Sequence, residues 1–176
     1  PADVLATADA TTMQSVVDAG ATTADPRVFA TNHLVLVTPV GNPAGVQALA
    51  DLDDPSVSYV VCVQTAPCGV LAADLLTGEG VSAEPVSREV DVKAVLSKVT
   101  LDEADAGLVY ASDAVAAGED VERIDVPAAE ADRTEYLVAP VEQAGEPDLA
   151  ADWVDLLLSP EGRQVLRDAG FTEPAG

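Results

Sequence analysis

Apolar segments of two periods alternate along this chain, and that alternation limits its fold more than any other feature. Short continuous or alternating apolar runs read as strands at His33–Thr38 (HLVLVT), Val57–Val63 (VSYVVCV), Ala106–Tyr110 (AGLVY), Val121–Val126 and Tyr136–Val141, with a shorter run at Asp3–Ala6. Between them lie segments with helical spacing. Met13, Val16 and Val17 make one, and Gly20 marks its end. Leu71, Leu75 and Leu76 follow Pro67 and stop near Gly78 and Gly80. Val92, Val95, Leu96 and Val99 fall at i, i+3, i+4 and i+7 behind the capping residue Asp91. Two helices close the chain, one through Leu149, Trp153, Leu156 and Leu157, the other from Ser159-Pro160 to Gly170. Asn42-Pro43 reads as an N-cap and first-turn pair for a further helix through Leu49. Strands alternating with helices predict an α/β fold with mainly parallel sheets. The acidic, Ala-rich stretch Gly118–Thr134 is the softest and reads as a connection between lobes.

Charge removes several function classes. Eight Lys+Arg stand against 31 Asp+Glu, for a formal net charge of -23. The basic residues are scattered, so a nucleic-acid partner is excluded, as is docking on an anionic membrane surface. The acidity does not mean disorder, because 48% of the residues are apolar and can bury a core. No apolar run approaches the roughly 18 residues that a membrane span needs. Pro1-Ala2-Asp3 has no Met, basic n-region or hydrophobic h-region, so these residues carry no signal segment.

Catalytic and metal chemistry find little support. The single His33 heads an apolar strand and reads as structural. One His and two Cys lack the spacing of a zinc site. Neither a Gly-x-Gly-x-x-Gly nor a Walker loop occurs, and no nucleophile–base arrangement stands out. A binding protein without metal or cofactor is the expectation, not an enzyme.

Three positions can donate to an anion. The Pro67-Cys68-Gly69 and Asp91-Val92 segments each open a helix, where free N–H groups and the helix dipole attract negative charge. Tyr110 ends a strand at the carboxyl edge, where ligands of α/β sheets collect. The Cys68 N–H, the Val92 N–H and the Tyr110 hydroxyl are therefore candidate oxyanion donors. Each also has an ordinary reading, as a turn residue, a core Val and a partly buried Tyr. Cys62 lies near the end of the VSYVVCV strand, and Cys68 lies six residues on, past a tight return. The pair reads either as a disulfide, which would imply an oxidising compartment, or as two buried thiols.

Six stretches together resemble the substrate-binding proteins of molybdate ABC transporters, the ModA-like periplasmic binding proteins. They are PADVLATAD at the start, FATNHLVLVTPVGNPAGVQALADL (29–52), APCGVLAADLL (66–76), DVKAVLSKVTLDEADAGLVYASDA (91–114), TEYLVAPV (134–141) and LLLSPEGRQVLRDAGF (156–171). They cover nearly the whole chain in the family's order. The resemblance implies a two-lobed type II periplasmic-binding-protein fold that closes around molybdate or tungstate in an interlobe cleft. It also implies an extracytoplasmic monomer, lipid-anchored or free, delivering to a permease driven by a cytoplasmic ATPase. Carried over by motif, the family's donors fall on Cys68, Val92 and Tyr110. Lobe one would hold residues 1–34 and 136–176 and lobe two 35–135, with hinge strands near 33–38 and 136–141. The chain departs from the family at Cys68, where a small residue is usual. It also lacks the family's two Ser-containing loops upstream of Pro1, so the N-terminal part of lobe one is missing from these residues. The same fold serves transcription regulators as an oxyanion-sensing domain, and sulfate-type oxyanions are alternative ligands.

Overall fold

The computed structural model describes residues 2–174; Pro1, Ala175 and Gly176, assigned above to lobe one, lie outside the described residues. In chain order the elements are β1 (Val4–Thr7), α1 (Ala10–Asp18), β2 (Arg27–Asn32), β3 (Leu34–Thr38), β4 (Tyr59–Cys62), α2 (Pro67–Gly78), β5 (Ser87–Glu89) and α3 (Val92–Thr100). They continue with β6 (Ala106–Tyr110), α4 (Ala111–Ala117), β7 (Glu122–Ile124), β8 (Thr134–Pro140), α5 (Pro147–Leu158) and α6 (Pro160–Asp168), and three short 3-10 turns complete the set.

The chain forms two compact units, one up to Asn32 and from Thr134 onward, the other His33–Arg133. The first holds a three-stranded sheet in the order β1-β8-β2, antiparallel throughout. Asn32 pairs with Thr134 there, so both chain crossings leave this unit from one paired position. Ring edges of Phe29 and Phe171 meet Tyr136 at centroid distances of 6.2 and 5.2 Å, respectively, a favourable edge-to-face geometry.

The second unit holds five strands in the order β5-β4-β6-β3-β7. Strict period-2 alternation supplies both faces of this sheet. Leu34, Leu36, Tyr59, Val61 and Leu108 pack on one side with Leu75 and Leu76 of α2. Val35, Val37, Val60, Cys62 and Val109 pack on the other with Val95 and Val99 of α3 and Ala111 and Ala114 of α4. Gly107 admits α3 closely: a Cβ there would lie 2.9 Å from both Val95 Cγ1 and Val99 Cγ2.

The α/β expectation is borne out, but the sheets are not mainly parallel. Only β4 pairs in parallel, with β5 and with β6, while β3 runs antiparallel to β6 and β7. The helical crossovers β4-α2-β5 and β5-α3-β6 set these three strands parallel, whereas β3 and β8 run against every strand they pair with. The expected helix from Asn42 to Leu49 does not form. Asn42 takes a left-handed φ of 42° and Gly45 one of 69°, which no helix tolerates. The Asn42 amide instead brackets a loop, donating to Val46 O at 2.6 Å and accepting from Val46 N–H at 3.0 Å. A 3-10 turn follows only at Leu49–Asp53. Within Gly118–Thr134 the strand expected at Val121–Val126 forms as β7 of the second sheet, and Val126 and Ala129 enter its core.

Candidate functional site

The three parallel strands define one edge of the second unit. Each ends at the same level: Cys62 lies beside Glu89, and Val60 beside Gly107, three residues before Tyr110. A helix begins after each strand, so α2, α3 and α4 all start along this carboxyl edge.

Pro67 opens α2 because its fixed φ and missing N–H suit the first helical position. The turn before it is closed by backbone bonds. Ala66 N–H donates to Val63 O at 2.9 Å, and Gly69 and Val70 N–H donate to Ala66 O at 2.9 and 3.2 Å. Cys68 N–H, at the second helical position, is not used by these bonds. Gly69 lets the helix start lie against the end of β4, since a Cβ there would come within 2.0 Å of Val63 O. Cys62 and Cys68 form a disulfide with Cα atoms 5.8 Å apart, so the free-thiol alternative falls away.

Asp91 caps α3 as expected, its carboxylate accepting from Ala94 N–H at 2.8 Å while Val95 N–H donates to Asp91 O at 3.3 Å. These bonds use the third and fourth helical positions and leave Val92 N–H at the first. Val63 N–H donates to Glu89 O at 2.8 Å, which ties the β4–α2 turn to the strand that leads into Val92.

Tyr110 is half-exposed at the last position of β6, opposite Leu34 of β3. The helix directly behind it was not expected from the sequence. Its first N–H, from Ala111, donates to His33 O at 2.9 Å. Asp113 accepts from the Tyr110 backbone N–H, and burial raises its carboxyl above the ordinary range against the opposing pull of Lys93 and that N–H. Asp113 was not singled out from the sequence, and Gly69 only as part of the Pro67-Cys68-Gly69 loop, since both roles depend on close approaches that spacing does not encode.

His33 is buried at 8% exposure, and its imidazole is held below its ordinary value, first by burial and then by Arg123. That environment suits the structural role expected for it. Among the described residues no cluster of three or more His, Cys, Asp or Glu is arranged to hold a metal ion. No helix among them is long and apolar enough to cross a membrane. Two cavities are lined by other residues. An apolar one of about 230 Å³ lies between Trp153, Leu156, Val165 and Leu166, and a polar one of about 160 Å³ lies behind Tyr59 and Arg88. Neither is lined by Cys68, Val92 or Tyr110. A shallow edge of N–H groups suits a small anion better than it suits an apolar ligand.

Residues 1–172 match the family model of bacterial extracellular solute-binding proteins. The molybdate-binding protein ModA of Mycobacterium tuberculosis is 38% identical over 173 residues, which are 98% of this chain and 66% of that protein. The chain thus spans just under two thirds of that relative. Two solved structures share the fold. One is the periplasmic molybdate-binding protein of Azotobacter vinelandii, with a TM-score of 0.80 and 18% identity over 99% of this chain and 80% of that one. The other is a Clostridium difficile substrate-binding domain assigned to a molybdenum ABC transporter, with a TM-score of 0.83 and 24% identity over 99% of this chain and 78% of that one.

Proposed function

We propose that this chain, which belongs to the bacterial extracellular solute-binding protein family, is the molybdate- or tungstate-binding component of an ABC importer. It works outside the cytoplasm and hands the oxyanion to a membrane permease with a cytoplasmic ATPase. The ligand is held by Cys68 N–H, Val92 N–H and the Tyr110 hydroxyl. Residues 1–34 and 136–176 act as one lobe and 35–135 as the other, joined by hinge strands near 33–38 and 136–141.

One observation carries this reading. Cys68, Val92 and Tyr110 stand at the carboxyl ends of three adjacent parallel strands, two of them at helix starts whose first N–H groups lack intrahelical partners. A tetrahedral dianion offers four acceptor oxygens to such donors, and no counter-cation is needed. Fixed donors also select by size, because Mo–O and W–O bonds are longer than S–O bonds. The 38% identity to a molybdate-binding protein supports the choice of anion.

Calorimetric titration with molybdate, tungstate and sulfate tests the reading. Tight binding of the first two with weak or absent sulfate binding is expected. Equal binding of all three, or none, overturns it.

A further inference from the structure

We propose that the Cys62–Cys68 disulfide is a positioning element for the oxyanion donors: it sets the spacing between Cys68 N–H and the start of α3, and so the size of anion accepted. This deepens the proposed function and rests on it.

The disulfide joins the last residue of β4 to the second residue of α2, across a separation of six. Both cysteines are buried, at 0% and 6% exposure, among Val60, Val95, Val99 and Ala111. The turn they enclose is a relay of backbone bonds. Glu89 O accepts from Val63 N–H at 2.8 Å, Val63 O from Ala66 N–H at 2.9 Å, and Ala66 O from Gly69 N–H at 2.9 Å. One end of the relay lies two residues before Asp91, the cap of α3, and the other end adjoins Cys68. Only hydrogen bonds connect the two donor-bearing helix starts by this route, and the turn's tip at Gln64-Thr65 is exposed. The disulfide closes the same turn covalently from inside the core. A crosslink over so short a loop restricts the unfolded chain less than one over a long loop would, because the entropic benefit grows with the length spanned. In the folded chain its effect is local, on where Cys68 N–H points, because it ties the end of β4 to the start of α2. Donors that must tell a longer metal–oxygen bond from a shorter sulfur–oxygen bond need placement within a few tenths of an ångström.

The test compares oxidised wild type with Cys62→Ala/Cys68→Ala, titrating molybdate, tungstate and sulfate well below each melting midpoint. Wild type reduced and then reoxidised serves as the rescue arm. If the alanine pair does not fold, Cys62→Val/Cys68→Ala, which refills most of the vacated volume, replaces it. The expected result is a tenfold or greater loss of molybdate affinity, little change for sulfate, and recovery of wild-type selectivity on reoxidation. A lower melting midpoint with unchanged affinities overturns the proposal. So does a loss equal for all three anions, which is what a purely structural brace would give. If oxidised wild type binds none of the three, the proposed function itself fails; if it binds molybdate selectively but the variants do too, only the positioning role fails.

Discussion

Tyr110 and Lys93 separate two ways of holding an anion. Lys93 is an exposed cation beside the Val92 donor, with its charge felt by Asp113. An exposed cation adds little to binding, because water and salt screen it. A hydroxyl donating to a charged ligand contributes about 1.5 kcal/mol or more, at least about a tenfold change in affinity. Tyr110→Phe is therefore expected to weaken molybdate binding about tenfold or more, and Lys93→Ala several-fold less, both read by calorimetry. The reverse order would mean that side-chain charge holds the anion instead of oriented dipoles. The candidate donors themselves were legible in the sequence because each follows a local rule. Pro67 opens a helix, Asp91 caps one, and Tyr110 ends an apolar run. The roles of the residues that shape their surroundings were not legible. Gly69 matters because Val63 O lies where its Cβ would be, and Asp113 because its carboxylate turns back to Tyr110 N–H. Those are approaches in space, without a sequence period.

At the scale of elements, legibility follows how much apolar surface each one buries. β6 and α3 were expected within a residue of their observed bounds, since both have buried faces at the right period. β5 was missed because it is a three-residue edge strand, Ser87–Glu89, flanked by the exposed Val86 and Val90. α4 was missed because it is mostly Ala and has no large apolar stripe. The loop from Asn42 to Val46 was misread because a good capping residue does not reveal its own φ. Loops here are held by carboxylates instead. Asp53 accepts from Ser82 N–H and Ala83 N–H at 2.8 and 2.7 Å and so pins the turn after α2 to the 3-10 turn at Leu49–Asp53. The Ala83 bond first, then the Ser82 bond, holds its carboxyl below the ordinary 3.8. The folded protein thus takes up this proton less readily than the unfolded chain does. Asp53 stabilises the fold above pH 3.8 and stops doing so as pH falls through the lowered folded value. Asp53→Ala is expected to lower the melting temperature at neutral pH, with the gap from wild type closing as pH drops below that point. A gap that persists in acid would assign the loss to packing.

For the whole molecule the governing number is the charge of -23. Seven of the eight basic residues are ion-paired: Arg27 with Asp155, Arg88 with Glu84, Lys98 with Glu103, Arg123 with Asp125, Arg133 with Glu130, and Arg163 and Arg167 with Glu173. Little cationic field is left to draw an anion in from a distance. A dianion arriving from solution meets net repulsion, whose range is about 10 Å at 0.1 M salt and about 3 Å at 1 M. In the proposed binding mode attraction begins only at contact, where helix-start N–H groups act over the length of a hydrogen bond. The two effects separate in kinetics. Raising sodium chloride from about 0.02 to about 0.5 M shortens the repulsion through the Debye length, so the association rate for molybdate should rise several-fold. The dissociation rate should hardly change, because the bound contacts are short and screened little. Stopped-flow measurement over that range decides the matter. Basic side chains steering the ligand would produce the opposite slope, with association slowing as salt is added, and would mean that the acidic surface hides a local cationic funnel that the ion pairs leave no room for.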